Sequence, residues 1–69
     1  MKAGARNQIR AKVTEVKKGD IMSLIKFEIP EGSRMGSVIT TESAEEMGLK
    51  PGDEVTLVVK AIHVLPVKD

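Results

Sequence analysis

The sequence contains no cysteine, no tryptophan and no tyrosine, and it has one phenylalanine and one histidine in 69 residues. Without cysteine there is no disulfide and no thiolate metal site. His63 stands alone in an apolar setting near the end of a strand, where a histidine is more often structural than catalytic, and one imidazole does not make a zinc site. Domains that grip single-stranded nucleic acid stack bases on aromatic rings. Here the only ring, Phe27, falls on an apolar face, so a base-reading surface is not expected. Long apolar runs are also missing. Nothing approaches the length of a membrane span, and residues 1–6 have no apolar core of a signal peptide, which points to a cytoplasmic address. There is no phosphate-loop or dinucleotide fingerprint. Glu45 and Glu46 are neighbours on a predicted helix and diverge, so they make a poor acid–base pair. The expectation is a binding protein, not an enzyme.

At this length the chain, residues 1–69, is read as one domain. A domain this small buries only about 60% of the surface its unfolded chain exposes and is marginal alone. With disulfides and a zinc site excluded, self-association is the remaining source of stability. An apolar content of 41% with long β-branched runs fits a chain that buries surface against copies of itself. The formal net charge is only +1, but it is unevenly spread. Residues 1–26 hold seven Lys/Arg and two Asp/Glu, a balance of +5, while residues 27–69 hold four and eight, a balance of −4. The basic half could attract an anion, and lysines on strand edges would also block edge-to-edge pairing.

Hydrophobic alternation divides the chain. Ile9, Ala11 and Val13 share one phase and Val16 the other, which predicts a strand over 7–17 with a bulge near Thr14 and Glu15. After a Lys18-Gly19-Asp20 turn, a second strand over 21–29 places Ile21, Ile25, Phe27 and Ile29 on one face. Met22 and Leu24 on its other face are expected to pack against a neighbouring subunit. Pro30 to Ser33 break the strand, and 35–40 forms a third. Residues 41–47 read as a short helix with Thr41 as N-cap, or with a capping box from Ser43 to Glu46, and Gly48 as the left-handed residue that ends it. Lys50-Pro51-Gly52-Asp53 is a type II turn. A strand over 54–62 follows, with a short terminal strand around Val64, Leu65 and Val67. The pattern predicts a mainly β fold, a small OB-like Greek-key antiparallel barrel with one short helix.

Three residues suit a small tetrahedral dianion: Arg6 before the first strand, Thr40 at the end of the third, and Lys60 in the otherwise apolar last strand. They offer a planar donor fork, a hydroxyl and a point charge, which with backbone N–H groups can replace a hydration shell. Each also has a plainer reading, as a solvated tail residue, a helix cap and an outward edge lysine.

The segments Ala5-Arg6-Asn7-Gln8-Ile9, Lys17-Lys18-Gly19, Ser37-Val38-Ile39-Thr40-Thr41-Glu42-Ser43, Glu45-Glu46-Met47-Gly48-Leu49 and Gly52-Asp53-Glu54-Val55, with Val59-Lys60-Ala61, run in order along nearly the whole chain. In sequence and spacing they resemble the molbindin (Mop) family. The resemblance implies an OB-like fold assembled as a homo-hexamer, a trimer of dimers, that stores molybdate or tungstate at subunit interfaces, with no organic cofactor and no membrane or nucleic-acid partner. It carries the oxyanion site to Arg6, Thr40 and Lys60, with backbone donors around Gly4, Ala5, Val59 and Ala61. A second site near the threefold axis is placed at Lys18 and Gly19. Two departures each lose a hydroxyl donor: Gly4 stands where the family commonly has Ser, and Ala61 where some members have Ser. Ala11 replaces a frequent Gly. A second resemblance competes with the first. Met47-Gly48-Leu49-Lys50-Pro51-Gly52-Asp53-Glu54-Val55 is similar to the helix end and turn of AbrB-type swapped-hairpin DNA-binding modules, although Ile39-Thr40-Thr41-Glu42 lacks their usual Ile-Pro helix start.

Overall fold

The computed structural model describes residues 7–68. Four strands, β1 (Asn7–Lys18), β2 (Met22–Glu28), β3 (Arg34–Thr40) and β4 (Glu54–Val59), form one antiparallel sheet, and the helix α1 (Thr41–Met47) connects β3 to β4. The strand order is β3-β2-β1-β4. Three strands linked by hairpins, with the fourth returning to lie beside the first, make a Greek key. The sheet is curled into a half-barrel of the OB-like kind.

The curl follows from β1. Its pairing with β2 slips between Val13 and Glu15, so Thr14 is an extra residue, as the change of hydrophobic phase predicts. A bulge bends the strand and increases its twist. The Thr14 hydroxyl donates to the carbonyl of Lys26 at 3.1 Å. At the same point the Val13 N–H donates to the Asp53 carbonyl and the Val13 carbonyl accepts from Gly52 N–H, both at 2.8 Å. The bulge is therefore locked to the turn before β4. In that turn Asp53 N–H donates to the Lys50 carbonyl at 3.1 Å and Gly52 has φ 96°, the type II geometry expected of Pro-Gly.

The concave face carries the core: Ala11, Val13, Ile25 and Phe27 from the sheet, and Ala44 from α1. Val16, Ile29, Ile39, Leu49, Val55 and Leu57 pack around it, half-buried. A fully buried aliphatic side chain contributes about 1.5–3 kcal/mol. With only Ile25 and Val13 among the described residues as large, essentially inaccessible apolar side chains, this core is thin.

Four expectations are corrected. Thr40, not Thr41, caps α1: its hydroxyl oxygen accepts from Ser43 N–H at 3.1 Å, and the Ser43-to-Glu46 capping box does not form. Thr41 instead donates its N–H to the Ile21 carbonyl at 2.7 Å and its hydroxyl to the Gly19 carbonyl at 2.8 Å, which fastens the start of α1 to the β1–β2 turn. Ile21 belongs to that turn, 75% exposed, and not to β2. The last strand stops at Val59, and the next carbonyls turn to local bonds. Lys60 accepts from His63 N–H at 2.9 Å and Ala61 from Val64 N–H at 3.2 Å, forming a short 3-10 turn over Ala61–His63. Residues 64–68 then run on without pairing, so the short terminal strand is not present. Gly48 does end α1, at φ 63°, with its N–H donating to the Glu45 carbonyl at 3.0 Å.

Candidate functional site

Of the residues proposed to hold an oxyanion, Gly4, Ala5 and Arg6 lie outside the described residues. Arg6 is the chain neighbour of Asn7, and Asn7 pairs with Val59. Val59, Lys60 and Ala61 are consecutive where β4 gives way to the 3-10 turn. Lys60 is exposed, and among the described residues no carboxylate stands within salt-bridge distance of it. Among the described residues the β1–β4 ladder ends at the Asn7–Val59 pair, and Lys60 lies one residue beyond it.

Thr40 occupies the other edge of the sheet. It is the last residue of β3, opposite Met22, and its exposed hydroxyl meets that of Ser43 at 2.8 Å. Two hydroxyls carry two hydrogens. One is used between Thr40 and Ser43, and the other is left to donate outward while Thr40 oxygen is held by Ser43 N–H. The helical spacing of three residues from the cap brings Ser43 back beside Thr40. Sequence reading passed over Ser43 because it assigned that residue to a capping box. The signal lies in the Thr40-Thr41-Glu42-Ser43 spacing, once Thr40 is taken as the cap.

Thr40 and Lys60 do not meet within one chain. They follow opposite edge strands of a four-stranded sheet. They also lie at opposite ends of β1: Thr40 pairs with Met22, next to the Lys18–Ser23 pair, whereas Val59 pairs with Asn7. Twelve residues at about 3.3 Å each make β1 a path of roughly 35–40 Å. A molecule the size of an oxyanion, held by direct hydrogen bonds of about 2.7–3.2 Å, cannot bridge that separation. Two open concavities, of about 380 and 610 Å³, lie along the sheet, and neither is lined by Thr40, Ser43 or Lys60.

At the other proposed position, Lys18 Nζ is 3.7 Å from Glu45 Oε2, with both side chains more than half exposed. Gly19 donates its N–H to the Met22 carbonyl at 3.0 Å, and its own carbonyl receives the Thr41 hydroxyl. A Cβ on Gly19 would lie 2.5 Å from the Met22 oxygen, so glycine is required sterically. What this turn can offer an anion is the Lys18 ammonium. Among the described residues no cluster of three or more His, Asp or Glu could hold a metal cation, and no helix is long and apolar enough to cross a membrane.

The Greek-key order, the bulged first strand and the single helix between β3 and β4 define a small OB-like domain. Comparison with known proteins agrees. The TOBE domain matches residues 4–66. Molybdenum-pterin-binding protein 1 of Clostridium pasteurianum is 42% identical over 65 residues, covering 94% of this chain and 96% of that protein. A molybdate binding protein from Sporomusa ovata superposes with a TM-score of 0.90 at 37% identity, over 99% of this chain and 100% of that one. MopII from Clostridium pasteurianum does so with a TM-score of 0.88 at 39% identity, over 97% and 100%. The chain belongs to the TOBE-domain family and, within it, to the molbindins. Neither the fold nor the comparisons support the swapped-hairpin alternative: the Leu49-to-Asp53 turn leads into β4 of the chain's own sheet.

Proposed function

We propose that this protein binds molybdate or tungstate, as the bare tetrahedral dianion, where two copies of the chain meet. The observation that carries this reading is the separation of the charged and hydroxyl donors. Thr40 with Ser43 and Lys60 with its neighbours stand at opposite edges of one sheet, so a complete donor shell needs two chains. In it Lys60 and Arg6 supply charge, the Thr40–Ser43 pair supplies hydroxyl hydrogen, and backbone around Gly4, Ala5, Val59 and Ala61 supplies further donors. The binding named for the Sporomusa ovata relative supports the choice of anion. A pterin ring would need an aromatic surface to stack on, and the only aromatic side chain, Phe27, is 6% exposed within the core.

The assembly in this reading is a hexamer built from three dimers, with Lys18 near the threefold axis as a second, weaker anchor. Its role is storage and homeostasis of the oxyanion in the cytoplasm for cofactor synthesis, without catalysis. Gly4 and Ala61 each lack a hydroxyl that the family resemblance places there, and a hydrogen bond to a charged group contributes about 1.5–3 kcal/mol. Binding is therefore expected to be weaker than in a chain with serine at both positions.

Isothermal titration with molybdate, tungstate and sulfate, alongside native mass measurement, tests the reading. The expected result is binding of molybdate and tungstate to an oligomer, weak binding of sulfate, and loss of the heat in Lys60→Ala. Absence of heat from either metal oxyanion at millimolar concentration would refute it.

A further inference from the structure

The chain has a single histidine, His63. Among the described residues its side chain is exposed and has neither a hydrogen bond nor an ion pair. The structural role that an apolar setting suggests for it is not what the fold provides, since its neighbours Ile62 and Val64 are themselves 84% and 53% exposed. What the fold does fix is the backbone of His63. Its N–H donates to the Lys60 carbonyl at 2.9 Å and closes the 3-10 turn that follows β4. Closing a four-residue turn brings its first and last Cα atoms within about 7 Å. Lys60 and His63 are those two residues.

We propose that His63 is a further residue of the oxyanion site, joining Lys60 as an imidazolium, so that the anion is held more tightly in mildly acid than in mildly alkaline solution. The inference rests on the oxyanion reading above and adds to it one residue and a regulation by pH. His63 and Lys60 lie in the same chain, three positions apart, so their closeness holds however copies of the chain are arranged.

The surrounding charge favours an anion at this turn. From Val55 to Lys68 the sequence has no Asp or Glu, while it has Lys60, His63 and Lys68. On β1, the residues opposite Val59 and Val58 are Asn7 and Gln8, both uncharged. The next charged residues along these two strands are Arg10 and Glu54, which meet each other at 3.9 Å, and Arg10 also donates to the Thr56 hydroxyl at 3.2 Å. Arg6, which the same reading places at the site, would add to the positive charge. Two cations this close repel when no carboxylate lies between them. A dianion placed between them turns that repulsion into two attractions. His63 also offers a donor N–H at a site where Gly4 and Ala61 offer no hydroxyl.

Imidazole is the side chain that changes charge between about pH 5 and 8. A dianion stabilises the protonated form, so by linkage protonation must strengthen binding and binding must take up protons. The sign is fixed: affinity rises as pH falls through the imidazole range and levels off above it. One added charge beside a dianion in a solvated setting corresponds to about threefold to tenfold in affinity.

The experiment is titration calorimetry of molybdate into wild type, His63→Gln and His63→Lys at about pH 6 and about pH 8. Comparing variants at each pH cancels the acid–base behaviour of the anion itself. Glutamine keeps a hydrogen-bond donor without charge, and lysine keeps the charge at both pH values. Relative to His63→Gln, wild type is expected to bind about threefold to tenfold more tightly at the lower pH and equally at the higher. His63→Lys should be tighter than His63→Gln at both. Near neutral pH, runs in buffers of different ionisation heat should show proton uptake in wild type beyond that of either variant. An affinity ratio between the two pH values that is the same in His63→Gln as in wild type would overturn the inference, as would His63→Lys binding no more tightly than His63→Gln. Either result, with molybdate still bound by wild type, removes His63 and leaves the oxyanion reading standing. No binding by wild type at either pH would refute the oxyanion reading itself, and the role of His63 with it.

Discussion

Replacing Thr41 with valine removes one hydroxyl and keeps the shape of the side chain. That hydroxyl has a single hydrogen, donated to the Gly19 carbonyl at 2.8 Å, so its 2.7 Å contact with Ser23 Oγ is one in which Ser23 donates. Ser23 is only 1% exposed, and water cannot replace the partner. The substitution therefore loses a hydrogen bond of about 1 kcal/mol and leaves a buried donor unmet at about 1–3 kcal/mol. Helix propensity does not offset this, because threonine and valine rank together. A loss of roughly 2–4 kcal/mol is expected, and at about 4–8 °C per kcal/mol for a domain of this size, the melting temperature should fall by more than 8 °C. Calorimetry at fixed protein concentration and without oxyanion is the assay, since both ligand and assembly add stability by mass action. The companion is Ser23→Ala with Thr41→Val, which removes both ends of the contact and should recover most of the loss. If Thr41→Val unfolds within 2 °C of wild type, or if the two substitutions simply add, the hydroxyl chain does not hold α1 to the β1–β2 turn as argued.

Other expectations follow from the same geometry. Glu31 sits at φ 77° in the third position of a turn closed by Gly32 N–H to the Ile29 carbonyl, where glycine is the usual residue. Glu31→Gly should stabilise the protein by about 0.5–1 kcal/mol, seen as a higher urea midpoint with unchanged slope. Thr40→Ala removes the cap of α1 and should cost about 1 kcal/mol of stability as well as molybdate affinity. Gly19→Ala forces a Cβ to 2.5 Å from the Met22 oxygen and should lower the melting temperature, through about 1–3 kcal/mol of strain. Molybdate at a hundred times its dissociation constant should stabilise wild type by about 2.7 kcal/mol. In Lys60→Ala that gain should vanish while the ligand-free melting temperature stays within 2 °C, because Lys60 is exposed and unpaired among the described residues.

Much of the fold was legible in local pattern. The change of phase from Val13 to Val16 marks the bulge, Pro51-Gly52 marks the type II turn, and Gly48 marks the end of α1; each depends on backbone preferences that act over a few residues. The helix cap was misplaced by one residue because Thr40 and Thr41 have the same intrinsic capping ability. Only the β1–β2 turn, which takes up the Thr41 hydroxyl, decides between them. Likewise the apolar run after Val59 reads as strand, but a strand needs a partner, and among the described residues it pairs with none.

The sequence by itself determined the kind of chemistry available: no thiol, one imidazole, one ring, and a few cations and hydroxyls able to surround a small dianion. It also determined where strands and turns fall, since alternation and turn chemistry are local. Tertiary structure alone decided which of these groups are neighbours. It brought Ser43 to Thr40 through the cap, and it sent Lys60 to the far edge of the sheet through the Greek-key order. Strand order is set by which edges pair over long sequence separations, and no local propensity encodes that choice.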